Sequence, residues 1–296
     1  MKLYVTFYMR PCFVIEVITP KKYKLGGLWF GPARPKQVII FTHGLASSAL
    51  KQHPLVEPWV DKNTAVITFS NRGHDKITKL RRVANTKKGY TSILAGEAHE
   101  VFTDCVDDIQ GVIDFAKQQG VKEIYLAGHS TGCQKSVYYA SKGADKAVKG
   151  LILLAPMSDY AATVMLEGKA KLAKATKTAR AMVKVGKKHE LLPHAIWNDV
   201  VDAQRFLSLY TPDSVEEIFS YAQPKKNPSA LKKVQLPMLV ILGENDEFGD
   251  RPVKDIAAWF EKHVNSNSKV QILPDVLHGF VGGEKKAAKM VSDWLK

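Results

Sequence analysis

Short β-branched runs with little polar alternation recur along the chain, at residues 37–42, 65–70, 123–127, 150–154, 238–242 and 269–273. Between them lie stretches with helical spacing, at 98–119, 133–141, 253–263 and 283–295. Strands without an exposed polar face are buried on both sides, and their alternation with helices predicts βαβ units building a parallel sheet. The first thirty residues differ. Segments 1–10, 13–18 and 24–30 are short strand-like pieces broken by Pro11, Pro20 and the Gly26-Gly27 pair. They predict an antiparallel meander on the sheet edge.

One interval breaks the rhythm. About eighty residues separate Pro156 from Pro237, where a crossover needs only ~15–20. Residues 158–225 are therefore expected to form a helical cap inserted into a core made of 1–157 and 226–296. Stepping ~100° per residue brings Met165, Leu172, Ala179 and Val183 onto one side. Lys174, Lys177, Lys184 and Lys188 fall on the other, while Lys169 and Lys187 lie nearer the apolar stripe. This predicts one basic amphipathic helix over 165–188. Trp197, Phe206, Tyr210, Phe219 and Tyr221, later in the insertion, supply an apolar wall.

Composition adds limits. The chain has 296 residues, 45% hydrophobic and 24% charged, with a net charge of +14. That is a globular composition, not a disordered or fibrous one. Residues 161–190 hold eight Lys/Arg against two Glu, so a surplus of six sits in the expected basic helix. The surplus admits an acidic substrate or an anionic lipid surface. Nucleic acid is not expected, because the lysines lack interleaved aromatics and no binding motif accompanies them. Cys12, Cys105 and Cys133 are odd in number and widely spaced, so neither a disulfide framework nor a metal site is indicated. With no apolar run approaching the ~18 residues of a membrane span and no signal-peptide pattern, a cytoplasmic protein is expected.

The sharpest local signal is Gly128-His129-Ser130-Thr131-Gly132. A β-rich run ends on its first glycine and a helix-compatible run follows its last, so Ser130 sits at a strand–turn–helix tip. Serine is a poor nucleophile unless a base takes its proton, and the base needs an orienting acid. His278 follows the final strand and Asp246 lies four residues past the preceding one, giving the chain order Ser130, Asp246, His278. All three fall beyond the carboxyl ends of strands, where open parallel sheets place their sites. Glu244, Asp250, Asp275 and Asp159 are rival acids. Among the other histidines, His43 is expected to brace a turn and His129 to pack or hydrogen-bond within the elbow. Thr131 and Leu45 are placed to offer backbone N–H groups to an oxyanion.

The pieces THGLASS, SNRGH, AGHSTGC, LGENDEF and VLHGF, spread over 42–280, resemble the α/β-hydrolase superfamily. Within it, GHSTGCQ and the small insertion are similar to siderophore-ester and cinnamoyl-ester hydrolases. The resemblance implies an α/β-hydrolase fold and ester hydrolysis through an acyl-enzyme, with no cofactor. The expected partner is a small-molecule ester of a small or medium acyl or aryl group, acidic esters included. Peptidase, thioesterase and C–C hydrolase activities stay open, as do an inactive scaffold whose basic cap binds an anionic partner and a homodimer.

Overall fold

The computed structural model describes residues 11–296; the strand expected over 1–10 lies outside the described residues. In chain order the strands are β1 (Cys12–Ile18), β2 (Lys24–Phe30), β3 (Gln37–Thr42), β4 (Thr64–Phe69), β5 (Thr78–Val83), β6 (Tyr90–Ala95), β7 (Glu123–His129), β8 (Val148–Leu154), β9 (Met238–Gly243) and β10 (Lys269–Leu273). The helices are α1 (His53–Val56), α2 (Cys105–Gln118), α3 (Thr131–Ser141), α4 (Asp159–Glu167), α5 (Lys169–Lys184), α6 (Ala203–Tyr210), α7 (Ser229–Lys233), α8 (Val253–His263) and α9 (Glu284–Trp294).

Alternate residues of the central strands enter two different apolar clusters, which is why those segments read as unbroken hydrophobic runs. Val38, Ile40, Leu126, Leu151, Leu153 and Val240 pack on one face with α2, α3 and α8. Ile39, Phe41, Ala127, Ile152, Leu154 and Ile241 pack on the other with α1 and α9. Each fully buried aliphatic side chain contributes about 1.5–3 kcal/mol, so double burial stabilises the sheet that carries the site.

The sheet order is β1-β2-β4-β3-β7-β8-β9-β10. Strands β4 through β10 in that order pair in parallel. β1 pairs antiparallel with β2, and β2 antiparallel with β4. This is the α/β-hydrolase fold, mostly parallel with antiparallel amino-terminal edge strands and helices on both faces. Among the described residues no helix is long and apolar enough to cross a membrane.

Three features depart from the sequence reading. β5 and β6 form a separate antiparallel hairpin where no strand was expected. In the TKLRRV segment of β5 only Leu80 is buried, so its mainly polar alternation carried little signal. α2 starts at Cys105 rather than at 98, because residues 97–104 form two short 3-10 turns around the buried Glu97 and Glu100. The single helix expected over 165–188 is two. Gly168, at φ +80°, ends α4 and caps the start of α5, and a glycine tolerates that left-handed region where other residues are strained.

The insertion has an apolar cluster of its own, formed by Leu172, Ala175, Ala179, Leu192, Trp197 and Phe206 among others. Trp197, Phe206 and Tyr210 stack mutually at centroid distances of 5.1–5.3 Å. Phe219 and Tyr221, which the sequence grouped with them, instead join the cluster beneath the sheet. Charge ties the pieces together. The fully buried Arg205 of α6 pairs with Glu216 and, at 3.0 Å, with Glu100. Glu100 also binds Lys135 of α3 at 2.6 Å.

Candidate active site

Ser130 stands between β7 and α3 at φ 54° and ψ −126°, a strained conformation that surrounding structure must enforce. The two glycines of the motif make that turn possible. A Cβ on Gly128 would strike the backbone of Gly132, and one on Gly132 would strike the Thr42 carbonyl of β3. The Ser130 N–H donates to the Leu154 carbonyl at 3.0 Å, pinning the turn to β8. Its hydroxyl faces Met157 Sδ at 3.8 Å.

On the far side, β9 and β10 deliver the other two groups. His278 Nδ1 lies 2.8 Å from Asp246 Oδ2. The carboxylate accepts from Nδ1–H, which leaves the Nε2 lone pair free to take a proton. The His278 backbone N–H donates to Glu247 Oε2 at 2.9 Å, and the His278 carbonyl accepts from His129 Nε2 at 2.8 Å. The rings of His129 and Phe248 contact His278 at centroid distances of 5.0 and 4.9 Å. Ser130 and His278 are each 8% exposed, so both lie under cover but in reach of solvent.

Three of the four rival acids have other partners. Glu244 accepts from the Asp275 N–H, and Asp250 pairs with Arg251. Asp159 is buried and accepts from Gln134 Nε2 at 2.6 Å; burial, reinforced by the nearby Glu216 and Glu217 charges, pushes its carboxyl well up.

Leu45 and Thr131 are on the same side of the sheet end. Thr131 is the first residue of α3, where helical N–H groups lack partners. Neither its N–H nor that of Leu45 has an acceptor among the described residues. The turn that presents Leu45 is braced by His43, whose Nδ1–H donates to the Gly44 carbonyl at 2.8 Å while Nε2 accepts from the Asn71 N–H at 3.3 Å. Burial, with help from the Lys135 charge, pushes His43 down to about 3, so the ring is neutral and can serve in both roles. Burial likewise pushes His129 down to about 4. Cys133 is buried and its thiol donates to the Gly128 and Leu154 carbonyls.

The loop after β4 is equally fixed. Arg72 is clasped by Asp104, Asp107 and Asp108 and lies 4.3 Å over the Tyr23 ring. Glu247, His129 as a brace of the His278 loop, Met157 and the Glu100–Lys135–Arg205 network were not singled out from the sequence. Only Glu247 carried a signal, its adjacency to Asp246. A cavity of about 40 Å³ beside Asp246, lined by Met157, Tyr221 and Arg251 among others, has room for water.

A serine on a strained elbow, a paired histidine and carboxylate, and two N–H groups without acceptors among the described residues lie on a chain with the α/β-hydrolase fold. The chain belongs to the family described as "protein of unknown function (DUF1749)", whose family model matches residues 89–295. No curated protein matches the sequence. Among solved structures, the esterase Pf2001 of Pyrococcus furiosus is similar at TM-score 0.60 and 20% identity, over 99% of this chain and 95% of its own. The α/β hydrolase GrgF from Penicillium sp. sh18 gives TM-score 0.64 at 18% identity over 97% and 98%. The siderophore hydrolase EstB from Aspergillus fumigatus gives 0.62 at 17% over 96% and 97%. At these identities the likeness speaks to the fold.

Proposed function

We propose that the protein is a serine hydrolase that cleaves carboxylic esters of small to medium acyl or aryl groups through an acyl-enzyme. The observation that carries this reading is the 2.8 Å His278–Asp246 pair braced by His129 against the strained Ser130 elbow. The Ser130 hydroxyl rotates away from Met157 and attacks the ester carbonyl while His278 Nε2 takes its proton. The tetrahedral oxyanion is held by the Leu45 and Thr131 N–H groups, aided by the positive end of α3. Collapse expels the alcohol, which receives the proton from His278. Water then repeats the sequence on the acyl-enzyme, releasing the acid and regenerating Ser130. Asp246 keeps the imidazole in the required tautomer throughout. In this reading residues 158–225 act as the cap over the site.

The test is hydrolysis of p-nitrophenyl esters from acetate to laurate, together with fluorophosphonate labelling, for wild type and Ser130→Ala. The proposal expects turnover and labelling that both disappear in Ser130→Ala, with an optimum at short or medium chains. Labelling at Ser130 without ester turnover would transfer the same machinery to peptides, thioesters or C–C bonds. Neither signal in folded protein would overturn the hydrolase reading.

A further inference from the structure

Away from the catalytic cluster, α5 turns one side to an open groove of about 600 Å³, within the ~300–1,000 Å³ typical of small-molecule sites. Tyr160 and Val164 of α4, Leu172 of α5 and Tyr210 at the end of α6 give it an apolar lining. Lys169, Lys177 and Arg180 stand along the same groove. From Lys169 to Arg180 the helix rises ~16 Å, so the cations border an elongated trough rather than one spot. None of Ser130, Asp246 and His278 lines it.

Charge decides the occupant. No Asp or Glu is among the lining residues. Lys169 and Lys177 have no ion pair among the described residues, and Arg180 pairs only with Asp213 at 2.9 Å, both partners more than half exposed. A pair so exposed is worth little and yields readily to a competing anion. Unneutralised cations beside an apolar trough complement a molecule with one anionic head and an apolar body. A flat lipid surface fits worse, because Ala175 and Ala179 on the apolar side of α5 are buried inside the insertion and Leu172 opens only into the groove. Interfacial helices need that side free.

We propose that this groove binds a free amphipathic carboxylate, alkyl or aryl, at a site separate from Ser130. The apolar body lies along Tyr160, Val164 and Tyr210, and the carboxylate is met by Lys169, Lys177 or Arg180. This goes beyond the ester-hydrolase reading and does not depend on it.

The probe is laurate, titrated calorimetrically into the full chain after treatment with a fluorophosphonate that blocks Ser130. Saturable binding of one equivalent is expected. Lys169→Glu/Lys177→Glu should weaken it at least tenfold. Ala173→Trp, which puts a large ring at an exposed position of the same groove, should abolish it. Both variants should keep the wild-type thermal midpoint and hydrolysis of p-nitrophenyl acetate, and dodecyltrimethylammonium should not bind. The proposal is overturned if laurate does not bind, if binding ignores both variants, or if it vanishes whenever Ser130 is blocked. Binding to phosphatidylglycerol vesicles without binding of monomeric laurate also overturns it. Should Ser130 fail to react with the phosphonate, the hydrolase reading fails while the laurate isotherm still decides the groove.

Discussion

The elbow around Ser130 and the inserted helices are held in place by different means. At the elbow the constraint is backbone against backbone: Gly128 and Gly132 let β7, α3 and β3 approach more closely than any side chain allows. In the insertion the constraint is charge. Arg205, Glu216, Glu100 and Lys135 form a buried chain of ion pairs from α6 to α3, and Lys76 joins Glu97 to Asp199 across the same boundary. The difference teaches that the turn at Ser130 is fixed by sterics, which no single contact can relax. The insertion is fixed to the rest of the fold by pairs that can be removed one at a time.

The largest effect should come from the reacting group itself. Ser130→Ala should lower kcat on p-nitrophenyl acetate by about 10⁵–10⁶-fold, with an unchanged urea midpoint. That separates chemistry from scaffold at the elbow. Next, Arg205→Ala leaves Glu216 buried without its cation and Glu100 with Lys135 alone, a change that costs about 3–5 kcal/mol. Equilibrium urea unfolding should register it, and Glu100→Gln/Glu216→Gln in the same background should recover part of the loss. Gly132→Ala should cost about 3 kcal/mol by forcing a Cβ into the Thr42 carbonyl, with no second substitution able to rescue it. A rescue equal to that at Arg205 would erase the contrast.

Acidity should separate the two regions by sign. His129 is held neutral, its pKa lowered by burial from 6.5 to about 4. The unfolded chain therefore binds more protons between those values, and this contribution to stability is full above pH 6.5 and lost as pH falls towards 4. Glu217, in the insertion, is raised by burial from 4.5 to about 7. Here the folded chain binds more protons, so the contribution is full below pH 4.5 and lost as pH rises through 7. Thermal midpoints from pH 4 to 8 should show Glu217→Gln flattening a loss on the alkaline side and His129→Gln flattening a loss on the acid side. Slopes of the same sign in both difference curves would contradict this. The smallest effect is expected at Gly168→Ala, where a Cβ meets open space but the φ of +80° is strained, at about 1 kcal/mol.

Much of the elbow was legible because its chemistry is local. A glycine two residues either side of a serine, a strand before and a helix after, are consecutive letters. The order of Ser130, Asp246 and His278 relative to strand ends needs only the strand pattern. The insertion was legible as an interruption but not as an arrangement. Gly168 split an expected helix because a backbone angle outweighed amphipathic spacing. Phe219 and Tyr221 joined the sheet's core rather than the Trp197 stack. β5 and β6 escaped notice because a hairpin outside the main sheet buries too little to imprint a period.

By itself, the sequence determined the double-faced apolar strands, the parallel order they impose and the sharp turn at Ser130. Each follows from the spacing of side chains a few residues apart. Only the tertiary structure decided that His129 holds the His278 carbonyl, that Glu247 takes its N–H, that Arg205 joins the insertion to Glu100, and that Tyr210 meets the cations of α5 along one groove. Those contacts join residues from tens to well over a hundred positions apart. Burial gives such charges and hydrogen bonds their strength, and burial exists only once the layers have closed.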